Sequence, residues 1–218
     1  MKRRMLLFVA VITALCSFNS ETQAQKTVKL FNGKDLSNWN FIVDKNSKPA
    51  DQVFSIKDGV IHIAGNPFGY MYTKEKYGDY KLHVEWRYPT EATNSGIFVL
   101  IAEAHDGNPF PNGIEVQLAA GKAGDFVCLG GSDLFEFHQR PGTARPAFPV
   151  VERANGSVEK PVGEWNEANI WVKDGTISVY VNGIYQNTGT NKVKSGYIGL
   201  QSEGKDIQFR NVTVTEWK

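Results

Sequence analysis

The chain has 218 residues, with 24 Lys plus Arg against 23 Asp plus Glu and a formal net charge of +1. No basic stripe follows the first four positions, which argues against a nucleic-acid partner, and the balanced charge gives no reason to expect an acidic or membrane-surface one. The hydrophobic fraction of 41% is ample for a domain that buries its own core without staples.

The opening "MKRRMLLFVAVITAL" is a basic start followed by an apolar run of about a dozen residues, too short for a comfortable bilayer span and suited to a signal-peptide core. "TQAQ" predicts cleavage after Ala24, so residues 1–24 are read as a signal peptide and 25–218 as one mature domain, periplasmic or secreted and without a membrane span. A lipid anchor on Cys16 is the competing reading, and bulky Leu15 before it argues against that. Removal of the leader leaves Cys128 alone, so no internal disulfide is expected.

From Lys26 onward, short β-rich runs alternate with Gly, Asn, Asp and Pro, and no helical apolar period emerges. Strands are predicted at "VKLF", on either side of Asp58-Gly59 in "VFSIKDGVIHIAG", and at "GYMYT", "YKLHVEWRY", "SGIFVLI", "GIEVQL" and "DFVCL". "ANIWVK", the turns at Asp174-Gly175 and Asn182-Gly183, "GYIGLQ" and "DIQFRNVTVTEW" follow. The Asp-Gly and Asn-Gly pairs accept the positive φ that tight hairpins need. So many strands predict two stacked sheets, an all-β sandwich of jelly-roll type. Between Gly130 and Gly163 the alternation lapses and Pro141, Pro146, Pro149 and Pro161 appear, so this segment reads as a long loop that packs through Phe135, Phe137 and Phe148.

Strand alternation separates His83, Glu85 and Arg87 from Leu82, Val84 and Trp86, Glu115 and Gln117 from Ile114, Val116 and Leu118, and Tyr197 and Gln201 from Ile198 and Leu200. Where Thr and Lys would have sufficed, planar hydrogen-bonding groups recur, which predicts that the three sets share one concave polar groove. The plainer readings are a structural His–carboxylate pair at His83, a cross-strand Glu115–Arg87 pair, and a Gln201 that serves only the backbone. No HExxH, paired-cysteine spacing, phosphate loop or GxSxG elbow is present, so a metal site could only assemble in space from His62, His83, His105, His138 and carboxylates. Cys128 in "FVCL" reads as a buried small hydrophobe.

The blocks "LFNGKDLSNW", "YGDYKLHVEWRY" with "NSGIFV", "GIEVQL", "GEWNEANIWVKDGTISVYVNG" and "GYIGLQSEGKDIQFRNVTV" together resemble the 3-keto-disaccharide hydrolase family, in that family's order, from Leu30 to Val214. The resemblance implies a concanavalin A-like lectin/glucanase fold with a ligand groove on the concave sheet. It also implies activity on glycosides whose glucose carries a C3 ketone. The matching signatures are Glu85 with Trp86, Asn94 with Ser95 and Gly96, Glu115 with Gln117, and Leu200 with Gln201. A C3 ketone acidifies the C2 proton, so the aglycone can leave C1 by β-elimination. On this expectation His83 or Glu85 is the base, Arg87 stabilises the enolate, Glu115 completes the catalytic set, and Asn94, Ser95, Gln117, His138, Trp165, Tyr197 and Gln201 bind substrate. A divalent ion held by His and Glu is an alternative electrophile, with no cofactor otherwise expected. The carbohydrate partner would be an oxidised glucoside or disaccharide. The alternative from another class is a non-catalytic carbohydrate-binding module, with Trp39, Trp165 and Tyr197 as stacking platforms and Trp171 and Trp217 in the core.

Overall fold

The computed structural model describes residues 26–217, and the expected signal peptide and its Cys16 lie outside the described residues. Fifteen strands follow in chain order. The first five are β1 (Lys26–Lys29), β2 (Trp39–Val43), β3 (Phe54–Lys57), β4 (Val60–Ile63) and β5 (Gly69–Thr73). Next come β6 (Tyr80–Arg87), β7 (Gly96–Glu103), β8 (Asn112–Gln117), β9 (Phe126–Leu129) and β10 (Val150–Val151). The last five are β11 (Asn166–Lys173), β12 (Thr176–Val181), β13 (Ile184–Thr190), β14 (Tyr197–Ser202) and β15 (Ile207–Glu216). The expected strands are present, and β2 and β10 are additions; β10 is a two-residue strand with no periodicity to read.

Two antiparallel sheets result. One runs β13-β12-β11-β6-β15-β4-β3 with β1 on the far part of β15, and the other runs β10-β9-β8-β7-β14-β5-β2. The first is called sheet A and the second sheet B. Their facing sides share one apolar core, in which Leu82, Val84, Trp86, Ile170 and Phe209 of sheet A meet Ile97, Val99, Ile114, Val116 and Leu200 of sheet B. These side chains are almost wholly removed from water, at roughly 1.5–3 kcal/mol for each large one. Packing of this kind is the all-β sandwich that the alternation predicted.

The hairpins obey their turn chemistry. Asp58-Gly59, Asp174-Gly175 and Asn182-Gly183 all take positive φ, at 53° and 72°, 48° and 81°, and 49° and 79°, which is the paired left-handed geometry of a type I′ turn. The segment between β9 and β11 contains only β10. It is tied down by Leu134, which is buried, and by the Phe135 amide, which donates to the Thr190 carbonyl at 3.0 Å. Phe135 itself is exposed, against the expectation that all three of its aromatic rings would pack.

Gly175 offers a test of the turn argument. A Cβ there would press on the Asn191 carbonyl oxygen, whereas at Gly183 it would meet open space. Gly175→Ala should therefore lower stability by about 2–3 kcal/mol and Gly183→Ala by about 1 kcal/mol, read as the shift of urea midpoint at constant slope.

Candidate functional site

The two sheets send their polar residues in opposite directions. Tyr80, Leu82, Val84 and Trp86 of β6 point into the shared core, so His83, Glu85 and Arg87 cover the outer face of sheet A. Ile114 and Val116 of β8, and Ile198 and Leu200 of β14, point into the same core from the other side, so Glu115, Gln117, Tyr197 and Gln201 cover the outer face of sheet B. The expectation that all three sets meet in one groove is therefore corrected: alternation gives the face of each strand, but sheet membership gives which way that face looks.

On sheet A the polar set is saturated by its own neighbours. Glu85 accepts from Arg210 Nε at 2.6 Å and from Asn211 Nδ2 at 2.6 Å, the latter brought round by a bulge in β15 between Arg210 and Thr213. His83 Nδ1 lies 3.1 Å from Asn169 Oδ1, its register partner on β11, and Nε2 lies 3.8 Å from Glu85. Arg87 Nε donates to Gln208 Oε1 at 2.7 Å. The guanidinium groups of Arg87 and Arg210 lie 4.5 and 4.0 Å from the ring centre of Trp165, which therefore stacks on arginines. Burial pushes the Glu85 carboxyl up, but the hydrogen bonds from Asn211 and Arg210 and the charges of Arg210 and His83 outweigh it and hold it below its ordinary value. An ionised, fully engaged carboxylate is a poor proton acceptor near neutrality.

Sheet B holds the opposite arrangement. Glu115 faces outward yet is only 3% exposed, because its register partners on either side are Phe98 of β7 and Val127 of β9. Its side chain lies across Gly96, where a Cβ would come within 2.7 Å of Glu115 Cγ and closer still to Oε1. Only glycine leaves room for that carboxyl. Oε1 is buried and has no hydrogen-bond partner, a state that costs free energy unless a ligand supplies one.

A second carboxyl stands beside it. Glu203, in the turn that follows β14, accepts from Gln201 Nε2 at 2.8 Å and from the Asn94 side chain. That turn closes on residues 93 and 94: Lys205 N donates to Thr93 Oγ1 at 3.0 Å, and Gly204, at φ 77°, passes where a Cβ would meet Thr93 Oγ1 at 2.7 Å. Asn94, Glu115, Gln117 and Glu203 line a hollow of about 250 Å³, with Phe110, Val127, Leu129, Phe148 and Val150 as its apolar wall. No Lys or Arg lines it. Burial, and then the charge of Glu203, push the Glu115 carboxyl well above the ordinary carboxylate range, and burial raises Glu203 as well against its two hydrogen bonds. Two neighbouring carboxyls whose proton affinities are both raised, Glu115 the more strongly, are an arrangement suited to acid–base chemistry.

The remaining expected residues divide. Gln117 lines the hollow, its Oε1 held by the amides of Leu118 and Ala119 at 2.9 and 2.8 Å. Gln201 is buried against Glu203 with its own Oε1 unpartnered. Ser95 is fully buried and its hydroxyl donates to the Gln201 carbonyl at 2.8 Å, so it braces β7 against β14 rather than facing a ligand. Tyr197 shares the outer face of sheet B but sits four residues along β14 from Gln201, packed on Tyr72 with Lys76 above it. Trp39 is buried with its indole N–H on the Leu30 carbonyl, so it is core and no platform. Trp171, expected in the core, instead lies on the outer face of sheet A between Tyr180 and Lys81, and Trp217 is half-buried beyond β15. His138 lines a neighbouring cavity with Arg140 and Phe148. Among the described residues no three His, Cys, Asp or Glu side chains converge as a metal-binding group, and no helix is long and apolar enough to cross a membrane. Cys128 is buried, as expected, and its thiol is pushed up to about 11 chiefly by burial. Glu203 and the Phe110–Phe148 wall escaped the sequence reading, although Glu203 follows Gln201 by two residues and so continues the same alternating face.

The sequence profile of the 3-keto-alpha-glucoside-1,2-lyase-like domain matches residues 26–215. The chain belongs to this family. A relative from Bacteroides thetaiotaomicron named 3-keto-disaccharide hydrolase is 24% identical over 91% of this chain and 81% of its own length. Among solved structures, a Parabacteroides distasonis protein described provisionally as a glycosyl hydrolase superposes with a TM-score of 0.63 at 23% identity, covering 88% of this chain and 94% of that one. The β-glucanase of Bacillus licheniformis superposes at 0.53 with 13% identity, over 91% of this chain and 100% of its own. These likenesses establish the jelly-roll fold of the glucanase type.

The raised proton affinity of Glu115 has a consequence for stability. In the unfolded chain a glutamate loses its proton near pH 4.3, whereas folded Glu115 keeps it to higher pH. The folded state then binds more protons, so this group's contribution to stability falls as pH rises above the unfolded value. Glu115→Gln, which cannot ionise, should gain on the parent protein between pH 4.5 and pH 8, by about 1 kcal/mol or more, measured as the difference in thermal midpoint at the two pH values.

Proposed function

We propose that this protein cleaves the glycosidic bond of 3-keto-glucosides, including 3-keto-disaccharides, and that the reaction takes place in the hollow on the outer face of sheet B. Family membership supports the substrate class. The single observation that carries the location is the pairing of Glu115, buried with an unpartnered oxygen, with Glu203 beside it in a hollow that no other charged residue lines.

In this reading the C3 ketone makes the C2 proton acidic, and ionised Glu203 removes it. The electron pair passes to the enolate, then returns to form the C1–C2 double bond as the C1–O bond breaks. Neutral Glu115 delivers a proton to the departing oxygen, and the Glu203 carboxyl carries away the C2 proton, so charge and protons balance. Gln117 and Asn94 offer amide groups to the sugar hydroxyls and the ketone oxygen. Water then adds its oxygen to C1 of the enone and gives a proton to the Glu115 carboxylate while Glu203 returns its proton to C2, which restores both carboxyls and makes the net reaction a hydrolysis. The His83, Glu85 and Arg87 cluster acts in this account as cross-strand bracing.

The pH profile follows from the two carboxyls. Turnover should rise as Glu203 ionises, above the ordinary glutamate range because its proton affinity is raised, and fall at higher pH as Glu115 ionises. Incubation with 3-keto-trehalose and a 3-keto-glucoside, with and without chelator, should release free sugar. Glu115→Gln and Glu203→Gln should each lower that rate about 100-fold or more, while Glu85→Gln stays within about three-fold. Binding of sugar without release by the parent protein would instead favour a non-catalytic module, and loss of activity on Glu85→Gln alone would move the chemistry to sheet A.

A further inference from the structure

Beside the carboxyl hollow, and sharing Phe148 and Val150 with it as lining, lies a larger cavity of about 600 Å³. Its walls come from the irregular segment between β9 and β11, principally Phe137, His138, Arg140, Pro146 and Phe148. We propose that this cavity receives the departing half of the substrate and is built for a planar aryl aglycone carrying an acidic substituent. The proposal rests on the placement of the reaction in the adjoining hollow.

Two features of the lining support that chemistry. The first is apolar surface held open to solvent. Phe148 is 44% exposed, yet its ring is fixed from one side by Phe110, centre to centre 5.1 Å, and Phe110 is itself propped by Phe68 at 6.4 Å. A ring held by a tilted neighbour and otherwise open to solvent is a stacking surface already in place. Pro146 and Val150 extend it. The second is charge. Arg140 makes no side-chain hydrogen bond or ion pair with any described residue, whereas Arg145 nearby is engaged by Asp133 at 2.8 Å and by the face of Phe137 at 4.9 Å. His138 likewise has no side-chain partner among the described residues, and Glu152 is the sole acid in the lining. A pyranose can also lay its C–H face on Phe148, but a neutral sugar leaves the Arg140 guanidinium without a charge partner. A benzoate-like group satisfies both halves at once, its ring on Phe148 and its carboxylate toward Arg140.

The elimination chemistry favours the same occupant, because a phenol is a better leaving group than an alkyl alcohol. That intrinsic advantage must be separated from recognition, so the test compares variants on each substrate. The ratio of parent to variant kcat/KM is measured for the methyl, phenyl and 4-carboxyphenyl 3-keto-glucosides and for 3-keto-trehalose. Because Phe148 also walls the carboxyl hollow, Phe148→Ala lowers kcat/KM on every substrate, and the loss should be at least five-fold greater on both aryl substrates than on the methyl glycoside. Arg140→Gln should reduce it at least five-fold on the 4-carboxyphenyl substrate alone. Equal losses on all four substrates, or losses confined to 3-keto-trehalose, would overturn the assignment. A parallel binding measurement uses unoxidised 4-carboxyphenyl glucoside and reads its dissociation constant by ligand-observed NMR. Weaker binding to Phe148→Ala and Arg140→Gln supports the cavity even if no keto-glucoside is cleaved, which would be the failure of the catalytic reading alone. Unchanged binding in both variants overturns the cavity proposal whatever the turnover.

Discussion

Two apolar sheet faces pressed against each other set the terms for everything else in this molecule. Once Leu82, Val84 and Trp86 meet Ile97, Ile114 and Val116, every alternate residue on β6 is turned away from every alternate residue on β8. The chain thus acquires two polar faces that cannot cooperate, separated by the thickness of the core. Their fates differ because their neighbours differ. On sheet A, Glu85 finds Arg210 and Asn211, and Arg87 finds Gln208 and Trp165. On sheet B, Glu115 finds Phe98, Val127 and the bare backbone of Gly96.

That contrast is what sets Glu85 and Glu115 apart. Sheet A spends its charges on one another, and the depressed proton affinity of Glu85 is the thermodynamic record of that pairing. Sheet B leaves a carboxyl buried and short of a partner, with a second carboxyl near enough to oppose its ionisation. Such a site weakens the folded state at neutral pH and persists only where the surrounding packing is strong. Here the strands on either side supply that packing, β9 buried throughout and β7 buried from Gly96 to Ile101. Loops then add what the strands do not: residues 93 and 94 and the turn at Glu203 close one side, and the long segment carrying Phe148 closes another.

The sequence revealed the fold well, because the features that dictate it are local. Alternation in "YKLHVEWRY" and "GIEVQL" names the buried face of each strand, and Asp-Gly and Asn-Gly name the turns. It revealed the site only in part. Glu115, Gln117 and Gln201 were legible as polar residues at strand positions where something plainer would serve, Asn94 only through the family signature, and the four do come together. His83, Glu85 and Arg87 carried the same local signal and belong elsewhere, because strand order within a sheet is set by pairings between residues distant in sequence, such as His83 with Asn169. Ser95 and Trp39 were misplaced for a related reason: a hydroxyl or an indole N–H in a strand region is as readily claimed by a backbone carbonyl as by a ligand. The aromatic wall lay in a segment without periodicity, where no pattern announces which ring will face a cavity.

Direct observation of the carboxyl groups tests the central claim most sharply. With the glutamate side chains labelled at their carboxyl carbons, NMR titration of the ligand-free protein should find Glu115 still neutral well above the ordinary carboxylate range, while Glu85 is already ionised below it. A Glu115 resonance that ionises with the exposed glutamates would mean that its carboxyl is solvated or paired, and sheet B would then hold no poised acid.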